Sequence, residues 1–222
     1  MNNNALQVFL ALALILGASA TPVADGDYAL INANVFDGVN ERITGDATVL
    51  VSDGKIEGIE TGNVSVPRGY EIIDVEGNVL MPGMIDVHTH IDTIDRAERA
   101  LASGVTTVRS ASVSAFQDVA LRELVRSGEL AGPEMIAAGI YVTPNLGRAQ
   151  LADPRLAEFY DGVDTDEDLR RLVQINIERG VDVIKTRGTQ RAGLPDTDPR
   201  QQVYTERQLR IVVEEAAKHD VP

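Results

Sequence analysis

"MPGMIDVHTHID", residues 81–92, holds two of the chain's three histidines, at alternate positions behind an apolar run that opens on Pro82-Gly83. Side chains two apart on an extended strand point to one face. His88 and His90 therefore share a side, and Thr89 takes the other. At a strand's C-terminal end such a pair can hold one cation such as Zn²⁺. Two solvated histidines on an exposed strand end would give the same spacing. The rest of the chain has to separate these readings.

Downstream, strands and helices alternate. "GMIDVHTH" reads as a strand, "DRAERALASG" as a helix ending at Gly104, and "VTTVRSAS" as a second strand. A helix over Phe116–Ser127 and a third strand, "EMIAAGIYV", follow. A longer loop, Thr143–Asp164, leads to a helix whose start carries Thr165 and Asp168 in capping-box positions and which stops at Gly180. "VDVIK" is a fourth strand, "TRGTQRAGLPDTDPRQQVY" a long polar loop, and Thr205 with Gln208 caps a last helix to about Lys218. Such alternation implies a parallel sheet with crossover helices. Its long loops follow the first, third and fourth strands, at the strand ends that build the site in a (β/α)₈ barrel.

Upstream, residues 27–79 read as short strands and turns. "ATVLVSDGKIEGIE" is a hairpin about Asp53-Gly54. "YEIIDVEGNVL" is a strand, a turn at Glu76-Gly77-Asn78 and a return. This small β-domain would draw its core from Leu30, Ile31, Val35, Val49, Val51, Ile56 and Ile59. The fold expected is thus α/β: a small β-sandwich-like domain over residues 21–80, then four strand–helix units over 81–222. A closed barrel needs eight strands, and four units leave two open sheet edges. The sequence is therefore expected to be either a smaller open α/β sheet or the first half of a longer barrel.

"LQVFLALALILGASA" closes on Ala18-Ser19-Ala20, an A-x-A cleavage pattern, and marks residues 1–20 as a signal peptide, with export to the periplasm or the exterior. The apolar run falls short of the roughly 20 residues that a membrane span needs, so no stable span is expected after its removal. The net charge of −14 makes nucleic acid an unfavourable partner. The chain has no cysteine, which excludes disulfides, thiolate sites and a cysteine nucleophile; any metal must be held by nitrogen and oxygen. No G-x-S-x-G elbow and no P-loop occurs.

"NVLMPGMIDVHTHID" resembles the first barrel strand of the metal-dependent amidohydrolase superfamily, whose members carry P-G-[LMF]-I-D-x-H-x-H just after a small β-domain. "ALINANVFDGVNERITGDATVLVSDGKIEGI" resembles that family's opening and "SGVTTVRS" its second strand. "GVDVIKTRGTQ" resembles the fourth strand of the imidazolonepropionase-like and prolidase-like branch. The likeness runs over nearly the whole chain after residue 20.

The resemblance implies a hydrolase of C–N bonds (amide, cyclic amide or dipeptide) that works through a metal-activated water. It implies His88, His90 and Lys185 as metal ligands, with one or two divalent ions, zinc foremost. Lys185 would be carboxylated: its neutral amine attacks CO₂ and the resulting carbamate offers two oxygens. An ion pair with Asp182 or a loop acid is the ordinary alternative for this lysine. The aspartate that relays the proton would come from an eighth strand, beyond Pro222, so this chain holds no catalytic residue and alone would be inactive. Arg109 at the second strand's end, Tyr141 and Arg187 are the substrate-binding candidates, with Asn145 beside them. Many relatives place Asp after this arginine where this chain has Ser110, which puts that loop's role in doubt. Arg187 and Arg191 point to an anionic or acyl-amino-acid substrate, and a homo-oligomer is compatible with the sequence. The competing reading is an exported, non-catalytic protein that binds a metal or small ligand. His219, at the end of the last helix, reads as a surface residue.

Overall fold

The computed structural model describes residues 26–193 and 195–222, so the expected signal segment lies outside the described residues. The first sheet is built from β1 (Tyr28–Val35), β2 (Thr44–Ser52), β3 (Lys55–Thr61), β4 (Glu71–Asp74) and β5 (Val79–Leu80). Its order is β3-β2-β1-β4, with β5 also on β1. The β2–β3 hairpin turns at Asp53-Gly54, both with positive φ (50° and 69°). Two such residues make the tight turn whose twist matches that of paired strands.

The expected return after Glu76-Gly77 does not occur. β4 pairs Glu71 to Asp74 with Tyr28 to Ile31, and β5 pairs Val79 and Leu80 with Asn34 and Val35, both parallel to β1. The chain steps outward and carries on in the same direction. Val75 and Gly77 donate to the Ile31 and Asn32 carbonyls and keep the segment on β1 through the step. The expected core is correct only at its centre. Val35 and Val49 are buried with Ala33 and Ala47, and Leu30 and Val51 pack against them. Ile56 and Ile59, on edge strand β3, are 66% and 44% exposed. An edge strand has one neighbour, and a four-residue core does not reach across it.

The second sheet is parallel, in the order β6 (Met84–Thr89), β7 (Val105–Ser110), β8 (Glu134–Ile136). Helices α1 (Ile94–Ala102) and α2 (Gln117–Arg126) connect its strands. Gly83 is fixed by close approach: a Cβ there would lie 2.1 to 2.7 Å from the Thr106 side chain on β7. That explains why the entry into β6 carries a glycine.

The third strand is shorter than expected, and the fourth does not form as a regular strand. Past Ile136, five successive backbone N–H groups go to side chains. Ala137 donates to Asp182, Ala138 and Gly139 to Asp118, Ile140 to Asn176, and Tyr141 to the Ser112 hydroxyl. The Val142 N–H is the first to return to a backbone partner, in one parallel bridge to Thr186 through the Lys185 carbonyl and the Arg187 N–H. Side-chain acceptors have displaced the ladder, although residues 137–142 and 182–187 still run side by side.

The loop Thr143–Asp164 is not structureless. It holds the short α3 (Arg148–Leu151) and a 3₁₀ turn, Pro154–Phe159. Helix α4 (Asp166–Glu178) opens on the Thr165/Asp168 capping box and α5 (Glu206–Ala217) on the Thr205/Gln208 box, with both reciprocal bonds present in each. The two helices share the largest core cluster, in which Leu169, Leu172, Val173, Ile211 and Tyr204 are buried. His219 lies beyond the end of α5 and is exposed, as expected.

Candidate metal centre

β6 carries His88 to the strand's C-terminal end, and His90 follows one residue past it. Both line one cavity of about 280 Å³. Their ring centroids are 5.6 Å apart and the rings are inclined at 73°. Two imidazoles sharing one tetrahedral ion at Zn–N of about 2.1 Å would put their centroids about 5 Å apart, close to the separation found. Thr89 turns away and its hydroxyl donates to the Arg109 carbonyl. Alternation on the strand thus puts the two histidines on the shared side.

Lys185 lines the same cavity. Its expected alternative partner, Asp182, is taken: that carboxylate accepts from Arg122 at 2.5 Å and from the Ala137 N–H at 2.7 Å. Lys185 itself makes no ion pair among the described residues. Nor does a third His, Asp or Glu join the histidines in the described residues. Two imidazoles and one amine therefore line this cavity together.

The substrate candidates separate. Tyr141 and Arg187 line the cavity of the histidines, with the Arg187 guanidinium 5.1 Å above the Tyr141 ring. Arg109 lies in an adjoining cavity with Val87 and Lys185, and its Nε donates to the Val87 carbonyl at 3.1 Å. The histidine cavity opens past Tyr141 and Arg187 into a larger cleft of about 530 Å³, where Asn145, Gln190 and Arg191 stand. Among the described residues that cleft has two arginines and no carboxylate in its wall, in a chain of net charge −14.

Ser112 escaped the sequence reading. It is buried, has φ of 91°, and its carbonyl lies 2.7 Å from His90 Nδ1. Only the repeated small residues of "SASVS" hinted at it, and no spacing rule singles them out.

The Amidohydrolase family model matches residues 79–222. The chain belongs to that family. Imidazolonepropionase of Bacillus velezensis is 28% identical over 153 residues, which is 65% of this chain and 35% of that protein. Ochratoxinase of Aspergillus niger is 24% identical over 216 residues, 79% of this chain and 45% of that one. A solved Xaa-Pro dipeptidase with bound methionine in the active site superposes with a TM-score of 0.73 at 21% identity, covering 88% of this chain and 55% of that one. Its structural neighbours include prolidase-like amidohydrolases, and the α/β fold is similar to theirs. The chain spans about half the length of these solved structures and less than half of the curated relatives named above.

Proposed function

We propose that this chain carries the first part of the metal site of a hydrolase acting on C–N bonds in small amides, cyclic amides or dipeptides. The observation that carries the reading is the convergence of His88, His90 and Lys185 on one cavity. Lys185 would act as its carbamate and the ion would be zinc, one or two per site. A bound divalent ion supplies electrostatic activation of water and of a carbonyl. The chain's own residues do the rest of what falls to this half. His88 and His90 hold nitrogen donors at a fixed separation. Arg187, stacked on Tyr141, and Arg191 beyond it offer a guanidinium to a substrate carboxylate, which favours an anionic or acyl-amino-acid substrate. Arg109, in the adjoining cavity, shapes the wall beside Lys185.

No residue here is assigned the proton-transfer role, and the chain alone is expected to be inactive. Residues 21–80 would form the small β-domain and 81–222 the first half of the barrel. Export, with loss of residues 1–20, and a homo-oligomer belong to the same proposal.

Zinc titration of the 222-residue chain in ¹³C-bicarbonate tests it. A carbamate carbon signal that is absent from Lys185→Met, together with zinc uptake lost in His88→Ala and His90→Ala, is the expected result. Zinc uptake unaffected by both histidine variants would sink the proposal.

A further inference from the structure

Two neutral tautomers are open to His90, and only one leaves Nε2 as a donor for a cation. A backbone carbonyl has no proton to give. The Ser112 carbonyl, 2.7 Å from His90 Nδ1, therefore requires the hydrogen to be on Nδ1 and leaves the Nε2 lone pair free. In water a neutral histidine prefers the other tautomer, so the protein has to impose this one.

Ser112 is held in place to impose it. Its φ of 91° lies in a region that side-chain-bearing residues rarely adopt. The N–H of Ser112 donates to the Ser110 hydroxyl at 3.2 Å. On either side, Ala111 donates to the Thr89 carbonyl at 2.7 Å and Val113 to the Gly139 carbonyl at 3.2 Å. The Ser112 hydroxyl accepts the Tyr141 N–H at 2.9 Å. One residue thus touches the histidine through its backbone and the base of the Tyr141–Arg187 stack through its side chain.

We infer that Ser112 is a positioning residue: its carbonyl sets the His90 tautomer, its hydroxyl sets Tyr141, and Ser110 holds its backbone in the conformation that does both. The inference gives the Ser110 hydroxyl a definite task. It rests on the reading of His90 as a metal ligand only for its purpose; the tautomer itself is a property of the metal-free chain.

The test is nitrogen NMR of the histidine-labelled, metal-free chain at a pH where imidazole is neutral. His90 should show a protonated Nδ1 and a bare Nε2, while His88, whose ring has no hydrogen bond among the described residues, should follow the preference found in water. A protonated Nε2 on His90 overturns the inference. Ser112→Gly keeps the carbonyl and the backbone conformation, so the tautomer should persist, with the Tyr141 amide exchanging faster. Ser112→Val disfavours that conformation and should lose the tautomer, with zinc affinity about tenfold to a hundredfold weaker. Should the valine variant not fold, Ser110→Ala removes only the acceptor for the Ser112 N–H and should weaken zinc binding about tenfold. Tautomer and affinity both unchanged in Ser110→Ala would remove Ser110 from the inference. If Nδ1 carries the proton but added zinc leaves the His90 nitrogens unmoved, the ligand reading falls and the positioning role stands.

Discussion

Helix α4 buries Leu169, Leu172 and Val173, whereas strand β6, also rich in apolar residues, leaves Met84, Ile85 and Val87 at 47%, 67% and 55% exposure. The helix shares one core cluster with α5 and with buried residues between 140 and 163. The strand has β7 along one edge and no described strand along the other. Apolar content is alike; the supply of partners is not. A sequence pattern reports the wish to be buried, and burial is realised only where a second surface arrives. Ile56, Ile59, Ile72 and Ile73 in the first sheet make the same point, since each is exposed.

Truncating a side chain in each region is the sharpest way to break that contrast. Leu172→Ala should cost about 3 kcal/mol in urea unfolding, because it removes buried contacts and leaves a cavity. A loss under about 1 kcal/mol would mean that the α4–α5 core is loosely packed.

Acid comes next. The Lys218 ammonium, helped by Gln174 and Arg170, holds the buried Glu215 carboxyl down at about 2, below its ordinary 4.5. A depressed carboxyl stabilises the fold above its unfolded value, and that contribution is lost as pH falls through the folded one. The helical core should therefore lose about 2–3 kcal/mol between roughly pH 4.5 and pH 2. Glu215→Gln should flatten that part of the stability profile.

Gly83→Ala should cost about 2 kcal/mol, since its methyl would meet the Thr106 side chain at the entry to β6. Ile85→Ser should change stability by no more than ~0.5 kcal/mol, as surface substitutions do. A cost as large as that of Leu172→Ala would show Ile85 covered in solution.

What could be read in the sequence was local. The Asp53-Gly54 turn and the Thr165/Asp168 and Thr205/Gln208 caps are set by residues at most three apart, and each formed as expected. His88 and His90 reached one cavity because strand alternation is a two-residue rule. Lys185 came from resemblance, Tyr141 and Arg187 from their places after the third and fourth strands, and the geometry brings all three to that cavity. The parallel step from β4 to β5 was missed because a turn at Glu76-Gly77 suits a hairpin equally well. Ser112, Asp118 and Asn176 were missed because their partners stand 20 to 36 residues away.

The row of N–H groups from Ala137 to Tyr141, each bonded to a side chain, changes how this part of the molecule opens. In an ordinary sheet, neighbouring amides are released when a strand peels from its neighbour. Here Ile140 is released only when Asn176 on α4 lets go, and Ala138 and Gly139 only when Asp118 on α2 does. Hydrogen exchange along this segment should therefore follow the opening of two helices rather than the fraying of one strand. The floor beneath Tyr141 is timed by elements that do not line the cavity.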